Sequence, residues 1–153
     1  MSLIDDVKRR AISSRAAQYL REKDAEWTTG YWIKNPDASS DPDKPVAIDA
    51  QGTMGEVRQW LSEQGFGSRF ANKRPKTQVC VEGALLLGLA ADESIPDSEY
   101  ASSLLMEFGP SAADAAVDFG WIERDDFDGI PPLNDGNFDA EKAVNLLDRM
   151  AKD

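Results

Sequence analysis

Cys80 is the only cysteine in a chain of 153 residues that has no histidine. A thiol acts as a nucleophile only when ionised, and a helix N-terminus, a nearby cation or a base must ionise it. Cys80 opens a long apolar run, which puts it in the first turn of a helix, where the thiolate is favoured. A Cys-Asn-Asp arrangement can be drawn from Cys80 with Asn134 and Asp135. It has no general base of suitable pKa, so the residues read more simply as a small buried thiol and a turn. Without histidine there is also no Ser-His-Asp triad, no Cys-His dyad and no imidazole ligand for catalytic zinc.

The carboxylates are the other candidates. Asp125, Asp126 and Asp128 stand close together before Gly129. Placing Gly129 at the invariant glycine of a calcium-binding EF-hand loop puts Arg124 at the first position, where a carboxylate is needed. It also puts Asp135 at the twelfth, where glutamate is needed. Aligning Asp135, Asn137 and Asp139 instead leaves Ala140 in the glycine position. Both registers fail, and no metal or cofactor is expected. Gly65-Phe66-Gly67-Ser68 is too short for a phosphate cradle and does not follow a strand. Basic residues 69–76 lie beside Phe70, and three aromatics fall within 27–32. Single-stranded nucleic acid is bound by such pairings, but the surrounding charge is of the wrong sign.

The formal net charge is −11, and one segment holds more than all of it. Residues 92–139 carry thirteen acids against one base, Arg124, a local balance of −12. Residues 1–76 carry thirteen bases against eleven acids. Segregated charge bears on partners and association, not on fold. It predicts a protein partner of opposite charge, no nucleic acid and no anionic membrane, with Asp125, Asp126 and Asp128 as the contact residues. A single cysteine excludes an internal disulfide and suits a reducing compartment. No apolar run reaches membrane-spanning length. A cytoplasmic location is expected.

These residues must be held by a mainly helical frame. Leu3, Ile4, Val7, Ala11, Ala16 and Leu20 follow a helical period, predicting a helix over 3–23 that opens at Ser2 and Asp5. Residues 28–33 are aromatic and β-branched, and 46–48 could return as the second strand of a small β-hairpin within 28–49. Thr53 and Glu56 have capping-box spacing ahead of a helix over 54–64. Thr77 then caps a helix over 78–91 with Glu82 as its only charge. A helix apolar on nearly every side belongs at the centre of a bundle, with Leu85 and Leu89 inside. Gly83 and Gly88 would each cost about 1 kcal/mol there relative to alanine, which predicts close approach of a neighbouring helix.

Pro96 opens a fourth helix through about Phe108, with Tyr100, Leu104, Leu105 and Phe108 inward. Gly109-Pro110 breaks it, and Ser111 with Asp114 caps a fifth that Gly120 ends. Asp139 caps the last helix, 140–151, with Ala140, Ala143, Val144, Leu147 and Met150 in one stripe.

Three motifs taken together are familiar: Cys80-Val81-Glu82-Gly83-Ala84-Leu85, Asn134-Asp135, and Ala143-Val144-Asn145-Leu146-Leu147-Asp148. In this order they resemble a family of small proteins of unknown function found in actinobacteria and their phages. The likeness spans about residues 12–150, with Leu133 where the family usually has tryptophan. It implies a phage or actinobacterial setting and no particular activity.

The expectation is therefore one domain, 1–153, of five or six helices around helix 78–91. The function read first is a non-catalytic accessory protein that binds a protein partner, such as a host protein, through its acidic surface. The alternatives are an enzyme or regulator with a site around Cys80, Asn134 and Asp135, and an acidic mimic of DNA.

Overall fold

The structure, a computed structural model, describes residues 4–21, 26–27, 33–35, 46–48, 52–63, 78–123, 125 and 140–152. Among the described residues six helices run in chain order: α1 (Asp6–Arg21), α2 (Met54–Glu63), α3 (Val81–Ala90), α4 (Ala101–Met106), α5 (Gly109–Asp118) and α6 (Ala140–Lys152). Four short strands accompany them: β1 (Glu26–Trp27), β2 (Ile33–Asn35), β3 (Val46–Ile48) and β4 (Gln78–Val79).

Helix α3 has no polar face, and every residue in it except Glu82 is buried. It sits at the centre, as its composition demands, with Leu85 and Leu89 fully enclosed. One core cluster draws side chains from all six helices and from Ile33 of β2. α3 packs chiefly on α1, and α1 in turn lies along α6. Gly88 makes the α1–α3 contact possible. A Cβ there would stand 2.9 Å from Ile12 Cγ2 and 3.2 Å from the Ile12 carbonyl oxygen.

The start of α3 differs from the sequence expectation. Gln78 and Val79 are strand, and the helix begins at Val81. Cys80 is its N-cap, with extended backbone at φ −100° and ψ −176°. Its sulfur accepts a hydrogen bond from the Gly83 N–H at 3.3 Å, taking the place of the usual hydroxyl or carboxylate cap. Thr77, read as the cap, lies outside the described residues.

β4 is pulled from the helix because it completes a sheet in the order β1-β4-β2-β3. β2 and β3 pair antiparallel, with Ile33 opposite Ile48 and Asn35 opposite Val46. The return strand stands at 46–48 as expected, but the first strand, expected over 28–33, is seen at Ile33–Asn35, and 28–32 lie outside the described residues. β4 pairs antiparallel with β2, placing Val79 opposite Ile33, and parallel with β1, placing Val79 opposite Trp27.

Helix α1 begins at Asp6, not residue 3, because Asp5 caps it: the Lys8 N–H donates to Asp5 Oδ1 at 2.7 Å. Val7 and Ala11, expected in its apolar stripe, are exposed. The buried face runs through Ile12, Ala16, Ala17 and Leu20, the i, i+4, i+8 row that meets α3 and α6. Ser2 and Leu3 lie outside the described residues.

α2 has the predicted capping box. The Glu56 N–H donates to Thr53 Oγ1 at 3.3 Å, and the Thr53 N–H donates to Glu56 Oε1 at 3.3 Å.

α4 starts at Ala101 rather than Pro96, and Tyr100, expected inward, is 58% exposed. Residues 97–100 are held instead by α2. Thr53 and Tyr100 form an isolated antiparallel bridge, and the Ala101 N–H donates to the Gly52 carbonyl at 3.0 Å. Gly109-Pro110 does not end α4; it starts α5, because proline in a first turn needs no N–H partner. Ser111, read as the cap, is buried. Gly120 ends α5 as expected, at φ 75°, a left-handed conformation that glycine adopts without strain. In α6, Ala143, Leu147 and Met150 are buried as predicted and Leu146 joins them. Asp139 lies outside the described residues.

Gly88→Ala should destabilise the protein. The added methyl crowds Ile12, including its backbone oxygen, and overpacking of this kind costs about 1–3 kcal/mol. That outweighs a gain of up to about 1 kcal/mol in helix propensity. The check is urea unfolding, with a lower midpoint at unchanged slope expected. A midpoint equal to or above wild type would show that α1 and α3 do not meet at Gly88.

Candidate functional site

The acidic segment leaves α3 through a turn over residues 91–100, and α2 clamps that turn. The first amides of a helix have no partner inside it. Here the Met54 N–H donates to the Glu99 carbonyl at 2.7 Å and the Gly55 N–H to the Asp97 carbonyl at 3.0 Å. A Cβ on Gly55 would stand 3.1 Å from Asp97 Cβ, so the turn sits tight against the helix start.

One turn further on, Arg58 spreads its guanidinium over the same segment. Nε donates to the Ala90 carbonyl at 3.1 Å, Nη2 to the Asp92 carbonyl at 2.8 Å, and Nη1 to the Ile95 carbonyl at 2.9 Å. Nη1 also meets Asp97 Oδ1 at 2.5 Å. Ala90 and Asp92 lie at the C-terminal end of α3, where a cation is favoured. Planar donors at fixed angles suit this multidentate role, which lysine could not fill.

A second tie reaches the turn from α1. Lys8 Nζ donates to Ser94 Oγ at 2.8 Å, and Ser94 donates to Asp92 Oδ1 from both its hydroxyl, at 2.6 Å, and its N–H, at 3.0 Å. Partial burial works against ionisation of Asp92. The two Ser94 bonds and the charges of Lys8 and Arg15 outweigh it and lower the carboxyl below its ordinary 3.8.

The sequence candidates fall unevenly on this frame. Asp125 is exposed. Asp126, Asp128, Asn134 and Asp135 lie outside the described residues. Cys80 is 2% exposed, enclosed at the start of α3, and its thiol does not present to solvent. Glu93, Asp97, Asp118, Glu123 and Asp125 are exposed acids of the segment. Asp97 pairs with Arg58, and Asp118 with Arg149 at 2.6 Å. Among the described residues no ion pair neutralises Glu93, Glu123 or Asp125. No three His, Cys, Asp or Glu side chains among the described residues are placed to hold a metal. None of the described helices is long and apolar enough to cross a membrane.

Arg58, Gly55 and Ser94 were not singled out from the sequence. In the sequence Arg58 reads like any solvated cation of a helix, because its partners lie 32 to 39 residues away. Only Ser94, two residues after Asp92, carried a local signal, that of a short side-chain turn.

Two outcomes follow. Cys80 should react with a thiol reagent slowly in the native protein and fast in urea. A native rate equal to that of the unfolded chain would place the thiol at the surface. Asp92→Asn keeps the acceptor for Ser94 and removes the charge. The folded-state pKa of Asp92 is lowered, so its contribution to stability is present above the unfolded value and fades as pH falls through the folded one. The variant should be less stable than wild type at neutral pH, and the difference should shrink in acid. Melting temperatures across pH check this; a gap that widened toward low pH would reverse the sign.

No protein-family model matches the chain, and neither a curated protein nor a solved structure matches it, so its own geometry must carry the functional argument.

Proposed function

We propose that the protein is a non-catalytic accessory factor that binds a basic protein partner through the acidic surface of residues 92–139. The observation that carries this reading is the segregation of charge: thirteen acids against one base within that segment. Two features of the described part support it. Glu93, Glu123 and Asp125 are exposed with no compensating ion pair there. The turn that starts the segment is fixed to α2 and α1 by hydrogen bonds, so its charges are held in one shape before any partner arrives. Prearranged charge raises association rates and discriminates against partners of like sign. Asp125, Asp126 and Asp128 are the proposed centre of the contact. The setting proposed, a phage or its actinobacterial host, rests on the Cys80–Leu85, Asn134-Asp135 and α6 motifs alone.

The test is capture of a partner from actinobacterial lysate at two salt concentrations, followed by association kinetics with the protein recovered. Charge pairs at a surface are screened over about 8–10 Å near physiological ionic strength. Capture should weaken as salt rises. Replacing Asp125, Asp126 and Asp128 together by Asn should slow association while leaving the melting temperature nearly unchanged, because solvated loop carboxylates contribute little to folding. An association rate equal to wild type at every salt concentration would remove the acidic surface as the contact.

A further inference from the structure

Away from the acidic turn, the end of α5 and the outer face of α6 enclose a shallow recess lined by Phe119, Asn145, Asp148, Arg149 and Lys152. We infer that this recess binds a small planar anion, a molecule that joins an aromatic ring to a carboxylate or phosphate group.

The aromatic wall is built in advance. Gly120, at φ 75°, turns the chain sharply between Phe119 and Trp121. Their rings stack with centroids 4.7 Å apart and planes 23° apart. Lys142 of α6 reaches over the Trp121 ring at 5.8 Å from its centroid and ties the stack to that helix. Phe119 still leaves 42% of its surface open. A second ring laid against it would extend the stack.

The polar wall is selective in sign. Lys142, Asn145, Arg149 and Lys152 follow one another at spacings of three and four along α6, so they share a face. Asp148, the acid that lines the recess, pairs with Arg21, and Asp118 at the end of α5 pairs with Arg149. Among the described residues the Lys152 ammonium and the Asn145 amide have no hydrogen-bond or ion-pair partner. The unmatched groups beside Phe119 are thus one cation and one amide donor. A carboxylate or phosphate meets both, while its ring covers Phe119. The site opposes the sign of the rest of the molecule, whose net charge is −11. An anion would be held here by local contacts against the general field.

The test titrates the intact protein with benzoate, phenyl phosphate, benzamide, acetate and inorganic phosphate, followed by two-dimensional amide NMR. Saturable shifts at residues 119–121 and 145–152 are expected with benzoate, phenyl phosphate or both, and which of these two binds more tightly names the anion. Phe119→Ala and Lys152→Gln should each weaken that binding at least about fivefold, the loss expected for one stacked ring or one charge contact. Phe119→Leu replaces the alanine variant if its melting temperature falls. Acetate or inorganic phosphate binding as tightly as its aromatic counterpart would overturn the stacking half of the proposal. Benzamide binding as tightly as benzoate would overturn the anionic half. No saturable shift up to about 50 mM, beyond the weakest useful affinity of a small ligand, would overturn the site itself.

Discussion

The constraint on which the structure depends is that α3 has no side it can turn to water. Four leucines in a row of five residues, Leu85, Leu86, Leu87 and Leu89, point in all directions around one helix. Fully burying each is worth roughly 1.5–3 kcal/mol. No single neighbour can cover them. α1 takes one side, at a distance set by Gly88, and α2 and α4 take others. α6 then closes over α1, so the two helices nearest the ends of the chain lie against each other. The small sheet meets the same core at Ile33, which pairs with both Val79 and Ile48.

Cys80 stands at the junction of sheet and core. It follows a strand residue directly, and its own extended backbone ends β4 while its sulfur caps α3. A serine could cap as well, but a hydroxyl there would sit in apolar surroundings. Sulfur accepts the Gly83 N–H weakly and is at home among apolar side chains. The residue type that first suggests catalysis is thus accounted for by the demands of a buried helix start.

The acidic turn is solid for a reason unrelated to its charge. Its carbonyls are taken up by the free amides of α2 and by Arg58, which satisfies backbone groups that would otherwise need water. The ion pair between Arg58 and Asp97 adds little by itself, since Asp97 is mostly solvated. The carbonyl bonds are the larger effect, because loss of a guanidinium that serves three carbonyls strands all of them. The carboxylates are free to face outward because the backbone beneath them is held.

The sequence by itself determined the helical class, the central place of α3, the capping box of α2 and the glycine stop after α5. Each rests on residues within a few positions of one another, where periodicity and capping chemistry act directly. It also determined the charge asymmetry, which needs no fold. Tertiary structure alone decided where α3 and α4 begin, since β4 and residues 97–100 are claimed by partners distant in the chain, and a helix yields its end when another element satisfies the same amides. It decided that Val7 and Tyr100 face outward, because the position of a neighbour, not hydrophobicity alone, defines the inner face. It decided, too, that Arg58 becomes a clamp and that Phe119 and Lys152 line one recess. Side chains separated by tens of residues come together only through packing, and no local spacing in the sequence records that meeting.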